Sequence, residues 1–269
     1  MGEETAIAWT TATANFWMGC EKISPGCKNC YAESLTRDRM GLSLWGPAYK
    51  TKRKPVAKVY KMLERMQRDA ASGVLSGPEP GVAPLVFVNS LSDWAERHPD
   101  LSDLRARLWD TIRACPDLHF QLLTKRADLI EDFLPPDWND WSEGYPNVWL
   151  GVSIENSEYL WRLEELRKIR AVVRFVSYEP ALGPLHEVRT LAGLDWMIYG
   201  GESGKDFRAE GIAGDPQLWS RQMQDRCERD GVVYFHKQSA ARRTEMGVEL
   251  DGRIVRNYPT ARRSERFVA

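Results

Sequence analysis

Three cysteines crowd one short stretch, Gly19-Cys20-Glu21-Lys22-Ile23-Ser24-Pro25-Gly26-Cys27-Lys28-Asn29-Cys30, with the spacing C-x6-C-x2-C. Three soft thiolates on one loop suit a [4Fe–4S] cluster that keeps one iron free of protein ligands, and the turn Ser24-Pro25-Gly26 lets the loop wrap the cube. Such an open iron can chelate the amino and carboxylate groups of S-adenosylmethionine (SAM). An electron from the reduced cluster then cleaves the sulfonium and yields a 5′-deoxyadenosyl radical. The competing chemistry is structural zinc, which needs a fourth ligand such as Cys115, Cys227 or a histidine. Zinc sites usually pair two C-x2-C knuckles, or one with H-x3-H. Neither second pair exists here, since His98, His119, His186 and His236 are far apart in sequence. Cys115 and Cys227 fall on helical stretches and read as core thiols. Five cysteines, three of them clustered, make a poor disulfide framework and suggest a reducing compartment.

A reactive loop needs a scaffold, and the rest of the chain alternates short apolar runs with amphipathic stretches. Strands are expected at Leu85-Val86-Phe87-Val88, at 119–123, at 148–154, at 172–176, at 196–199 and at 232–235. Helices are expected through Leu101, Leu104, Leu108 and Ile112, at 128–133, through Leu160, Leu163, Leu166 and Ile169, and at 216–229. Strands apolar on both faces and separated by helices argue for a parallel sheet covered by helices. The fold class expected is α/β, and six or more such units favour a full or partial (β/α) barrel over a doubly wound sheet. The barrel domain would span 1–237, followed by a C-terminal extension, 238–269, with seven arginines against four acids. Residues 68–84, rich in Gly, Pro, Ala and Ser, read as a surface loop or linker.

Polar residues gather just after these strands: Asn89, Ser90, Ser92 and Asp93; Thr124, Lys125 and Arg126; Ser153, Glu155 and Asn156; Ser177 and Glu179; Glu202 and Ser203. One polar strand end would be a cap. Five in register suggest one shared cavity, because βα loops converge at the C-terminal end of a parallel barrel. Gly200-Gly201-Glu202-Ser203-Gly204 would let backbone approach a ligand closely.

The blocks GCEKISPGCKNCYAE, FVNSLSDW (87–94), LLTKR (122–126), VWLGVSIEN (148–156), RFVSYEPALGP (174–184), DWMIYGGESG (195–204), FHKQ (235–238) and LDGR (250–253) resemble the phage-type three-cysteine-motif proteins, a radical-SAM-like family. The resemblance covers most of the chain. It implies a partial β/α barrel of the radical SAM type, a [4Fe–4S] cluster on Cys20, Cys27 and Cys30, and SAM; it does not imply a substrate. The first spacing departs from the C-x3-C-x2-C of most radical SAM enzymes. On this template Ser90, Ser92 and Asp93 would receive the methionine ammonium, with Asp93 alternatively a turn cap. Lys125 or Arg126 would pair its carboxylate, and Ser153, Glu155 and Asn156 would hold the ribose. Tyr31 would shield the cluster or stack near adenine, or else be a core aromatic. Glu179 is the leading candidate for a functional carboxylate. Gly200, Gly201 and Glu202 would line the far side of the cavity, with Glu202 as a second catalytic carboxylate.

Lys and Arg (37) nearly cancel Asp and Glu (38), which argues against non-specific coating of nucleic acid, although a local basic groove remains open. Lys50-Thr51-Lys52-Arg53-Lys54 is the densest basic run, a solvated face or a phosphate-contacting loop, and Trp9, Trp17, Trp45 and Trp94 flank the proposed site as core or base-stacking residues. No apolar run approaches a membrane span and mean hydropathy is −0.47. The acidic opening MGEETAIAW gives no sign of a secretory leader, so a cytoplasmic protein is expected. The leading expectation is a radical SAM enzyme that needs an electron donor, with a nucleotide, DNA or RNA as substrate and a partner protein as a further possibility. The alternatives are a zinc-stabilised nucleic-acid or protein-binding module without catalysis, or a cluster used only for electron transfer or structure.

Overall fold

The computed structural model describes residues 5–261. In chain order its elements are β1 (Ala12–Ala14), β2 (Trp17–Met18), α1 (Tyr31–Ser34), β3 (Lys54–Pro55), α2 (Lys58–Ala71), β4 (Leu85–Val88), α3 (Ser102–Arg113), β5 (His119–Thr124), α4 (Ile130–Phe133), β6 (Val148–Ser153), α5 (Trp161–Lys168), β7 (Val173–Tyr178), β8 (Trp196–Gly200), α6 (Leu218–Asp230), β9 (Val233–Gln238), β10 (Glu249–Leu250) and β11 (Arg253–Ile254). Helix α1 continues through a wide π turn over Leu35–Arg39.

Seven strands form a parallel sheet in the order β1-β4-β5-β6-β7-β8-β9. Parallel strands need crossovers, and α2, α3, α4, α5 and α6 supply five of the six. The link from β7 to β8 has no α-helix. Alternation along each strand divides the side chains between two cores. Val148, Leu150 and Val152 of β6 join the helix-side core, which also holds Leu63, Leu108, Leu163 and Met223. Trp149 faces the other way, into a cluster with Trp9, Leu85, Phe87, Phe175, Trp196, Ile198 and Phe235.

That second cluster shows how far the sheet curls. Trp9 precedes edge strand β1, yet its ring lies 6.3 Å from Phe175 and 6.4 Å from Trp196, on β7 and β8. Strands sit about 4.8 Å apart, so in a flat sheet β7 would be roughly 19 Å from β1. The sheet therefore closes into a half-barrel whose floor is a plug of aromatic rings. Trp9, Trp17 and Trp94, weighed above as base-stacking platforms, are 2% exposed or less and belong to the cores.

One loop boundary differs from expectation. Helix α2 runs to Ala71, so the segment read as a loop from residue 68 begins as helix, because Arg68, Asp69, Ala70 and Ala71 extend its register. The described part of the C-terminal extension packs back on the sheet. His236 N donates to Val255 O at 2.7 Å, the Trp196 indole to Asn257 O at 2.9 Å, and the Tyr258 hydroxyl to Ala8 O at 2.8 Å. Arg262, Arg263 and Arg266 lie outside the described residues. Among the described residues no helix is long and apolar enough to cross a membrane.

Candidate functional site

Strand alternation fixes what the mouth of the half-barrel presents. Inward positions on β5 to β9 continue from the aromatic floor to Lys125, Glu155, Glu179 and Lys237, with Ser153 and Ser177 one step below on adjacent strands. These charges interlock. Lys125 Nζ lies 3.2 Å from Glu155 Oε1 and donates to Glu179 O at 3.4 Å. Glu179 accepts from Lys237 Nζ at 2.6 Å and from Ser177 Oγ at 3.1 Å. Glu155 is fully buried and also accepts from Arg162 Nη1 at 2.9 Å. Burial opposes its ionisation, but Lys125, Arg162 and Ser24 together outweigh that and hold its carboxyl below the ordinary range.

The cysteine loop is bonded down over this mouth by the strand ends. Arg126, after β5, is 8% exposed; its Nη1 lies 3.7 Å from Cys20 Sγ and 3.0 Å from Asp93 Oδ2, and its Nη2 donates to Glu21 O at 2.9 Å. Glu21 N donates to Glu96 Oε1 at 3.0 Å. Ser24 Oγ donates to Glu155 Oε1 at 2.6 Å. A Cβ on Gly26 would stand 2.5 Å from that same oxygen, so the turn reaches Glu155 only as glycine. Asn29, between the last two cysteines, donates to Glu202 Oε2 at 3.0 Å and to Asp206 O at 2.9 Å. Arg208 binds Glu202 and also donates to Pro25 O at 3.1 Å. Burial again opposes ionisation of Glu202, and the Arg208 bonds overcome it, so its carboxyl is held low.

The structure thus gives each expected residue a place. Glu155, Lys125 and Glu179 come together at the mouth. Glu202 sits in the Asn29–Arg208 clasp and positions the loop, a role set by its contacts. Asp93 is a clamp between strand ends: it accepts from Thr124 Oγ1 at 2.6 Å, Lys125 N at 3.1 Å, Arg126 and Ala95 N at 3.0 Å. Ser90 bonds Asn15, and Ser92 Oγ donates to Trp17 O at 3.0 Å, which stitches the β4 loop to the chain after β1. Asn156 caps the turn before α5, accepting from Glu158 N at 3.0 Å. Tyr31 is half exposed beside Cys30, and its hydroxyl donates to Ser90 O at 2.8 Å. The bare faces of Gly200 and Gly201 are filled from within the chain, by the Glu179 carboxylate and by the Ala240 backbone. Ser153 is buried in β6, and its carbonyl accepts from Arg162 at 2.8 Å.

Several partners escaped sequence reasoning: Lys237, Arg162, Asn29, Arg208, Glu96 and Arg53. Lys237 carried a signal, being a cation on the otherwise apolar inward face of strand β9, after Val233 and Phe235. Arg53, counted above in the basic run, is 3% exposed and forms a two-pronged pair with Glu96 at 2.7 and 2.6 Å, so it faces the protein and not a phosphate.

Cys20, Cys27 and Cys30 are free thiols of intermediate exposure. Burial pushes the Cys20 thiol up, with Arg126 opposing, and burial raises Cys30 as well. Among the described residues no three His, Cys, Asp or Glu side chains converge as one metal ion requires. An iron–sulfur cube would take each thiolate on a different iron, and three thiols on one loop beside the Arg126 guanidinium are the donor types such a cube uses. Cys115 and Cys227 lie in the helix-side core, Cys115 with its sulfur 4.0 Å from Leu63 O, so a fourth thiol is not supplied to the loop by either.

No curated protein and no solved structure matches the chain. A family model covers residues 4–259, and the chain therefore belongs to the family described as Protein of unknown function (DUF5131).

Proposed function

We propose that this chain is a radical SAM enzyme, in line with its resemblance to the phage-type three-cysteine-motif proteins, acting on a nucleotide or nucleic acid. The observation that carries the reading is the loop of three free thiols held by side chains of three strand ends, and by a backbone carbonyl of a fourth, over the charged mouth of a parallel half-barrel. Cys20, Cys27 and Cys30 would hold a [4Fe–4S] cluster. When bound, it would supply one electron to the SAM sulfonium, breaking the carbon–sulfur bond to give methionine and a 5′-deoxyadenosyl radical.

The chain's own residues have separable tasks in this reading. Arg126 neutralises charge at Cys20 from a buried position, where a guanidinium acts more strongly than in water. Glu202, Arg208 and Asn29 fix the segment between Cys27 and Cys30. Lys125 and Lys237 offer ammonium donors to a carboxylate, and Glu155 and Glu179 offer acceptors to an ammonium or a hydroxyl. The aromatic floor keeps water from below the mouth.

Anaerobic reconstitution tests this directly, with iron and zinc counts and electron paramagnetic resonance of the reduced protein with and without SAM. About four irons per chain and a signal that shifts on adding SAM are expected, both lost in Cys30→Ala. One zinc, no iron and indifference to SAM would overturn the reading and favour a zinc-stabilised binding module. Iron without any response to SAM would leave an electron-transfer or structural cluster.

A further inference from the structure

The segment between the cysteine loop and α2 departs from the near-neutral balance of the whole. Residues 37–58 hold seven Lys and Arg against one acid, Asp38. Two of the cations are spent internally, Arg37 on Asp38 and Arg53 on Glu96. Arg39, Lys50, Lys52, Lys54 and Lys58 are exposed and have no ion-pair partner among the described residues. Arg53 turns inward to Glu96, while Lys52 and Lys54 on either side of it are exposed.

An aromatic accompanies the cations. Tyr49 is 81% exposed, with the Lys50 ammonium 5.5 Å from its ring centroid. Tyr31 is 53% exposed next to Cys30. The segment is rigidly tied to the thiol loop. Gly46 N donates to Cys20 O at 3.0 Å, β3 pairs with β2, and Leu42, Leu44 and Trp45 share a small core with Met18, Ala32 and Cys30.

A cluster of unpaired cations attracts a polyanion, and an exposed ring adds affinity only for a partner with π faces to lay on it. An acidic peptide meets the first condition and not the second. A duplex hides its base faces inside the stack. We propose that residues 37–58 form a docking strip for single-stranded nucleic acid, with backbone phosphates along Lys50, Lys52 and Lys54 and a base stacked on Tyr49. The inference rests on the reading above, because it names the substrate class of the same mouth. The strip runs from the exposed surface to the thiol loop and delivers a strand there.

The test uses the full chain and a fluorescein-labelled 15-nucleotide oligothymidylate, with affinity measured by anisotropy from about 50 to 200 mM salt. Three phosphate contacts contribute a log–log slope of about −2, or roughly an 18-fold loss of affinity across that range. The triple variant Lys50→Ala/Lys52→Ala/Lys54→Ala should lose that part of the slope, and Tyr49→Ala should weaken binding about 5-fold or more with the slope unchanged. No binding by the wild type at 50 mM salt, or equal binding by a 15-residue polyglutamate, would overturn the proposal. So would a triple variant with wild-type slope, or a neutral Tyr49→Ala. Iron content and the SAM-dependent resonance are recorded on the same samples. These lysines and Tyr49 touch neither thiols nor mouth, so a lost docking signal with intact iron refutes the strip alone, and lost iron in the wild type refutes the enzyme.

Discussion

Cutting Arg53 back to methionine should loosen both the basic segment and the thiol loop. Its side chain is fully buried and that of Glu96 is 3% exposed, so the pair has almost no access to solvent. The guanidinium makes two parallel bonds to the carboxylate, at 2.7 and 2.6 Å, and also donates to the carbonyls of Leu44, Gly46 and Thr51. Without it Glu96 keeps Glu21 N at 3.0 Å and Arg126 at 3.6 Å, but loses its closest counter-charge. Removing one member of a buried pair costs about 3–5 kcal/mol, because the other charge is left in a medium that cannot solvate it. At about 2–4 °C per kcal/mol, Arg53→Met should lower Tm by roughly 6–20 °C in scanning calorimetry. The double variant Arg53→Met/Glu96→Leu removes the stranded charge and should be less unstable than the sum of its single changes, by about 0.5–3 kcal/mol. A Tm within about 2 °C of wild type for Arg53→Met, or strict additivity in the double variant, would refute the reasoning.

Acid should destabilise the protein partly through Glu155. Its folded carboxyl is held below the ordinary 4.5, so its contribution is complete above that value and is lost as pH falls through the depressed one. Glu155→Gln should flatten the stability profile below about pH 4.5 in urea titrations, and parallel profiles would count against it. Gly26→Ala forces the loop off Glu155 and should speed alkylation of Cys27 in the metal-free protein, read by mass spectrometry, with rates within about twofold of wild type as the contrary result. Lys237→Met leaves Glu179 without its closest cation; iron content should hold while 5′-deoxyadenosine formation falls about tenfold or more, and unchanged turnover would remove Lys237 from the site.

Much of the half-barrel was legible because its strands are apolar on both faces. Leu85–Val88 appears with the boundaries read from sequence; β5, β7, β8 and β9 run one to three residues past the expected ends, β6 stops one residue short, and β7 and β9 start one residue late. Strand β1 left no trace, since Ala-Thr-Ala carries neither bulk nor alternation. Helix α2 places Val59, Leu63 and Met66 on one buried face, a pattern that was present and passed over. At the site, strand-end residues could be recognised as a group, and Glu155 and Glu179 do meet Lys125. What each side chain bonds could not, because the partners are remote: Ser24 finds Glu155 across 131 residues, and Arg208 finds Pro25 across 183. Asp93, Glu202, Gly200 and Gly201 looked like ligand contacts for that reason, while in the fold their nearest partners are other parts of the chain.

A half-barrel, unlike a closed one, has two free sheet margins. The last strand, β9, carries residues 255–257 along its outer side, with His236 N bonded to Val255 O and an antiparallel bridge from Phe235 to Arg256. At the opposite margin β1 is three residues long and offers little backbone to a newcomer. An uncovered margin would template strand addition by a second molecule and seed aggregation. The C-terminal return segment therefore acts as a built-in stop to lateral growth, and shortening the chain before Val255 would expose the β9 margin to aggregation.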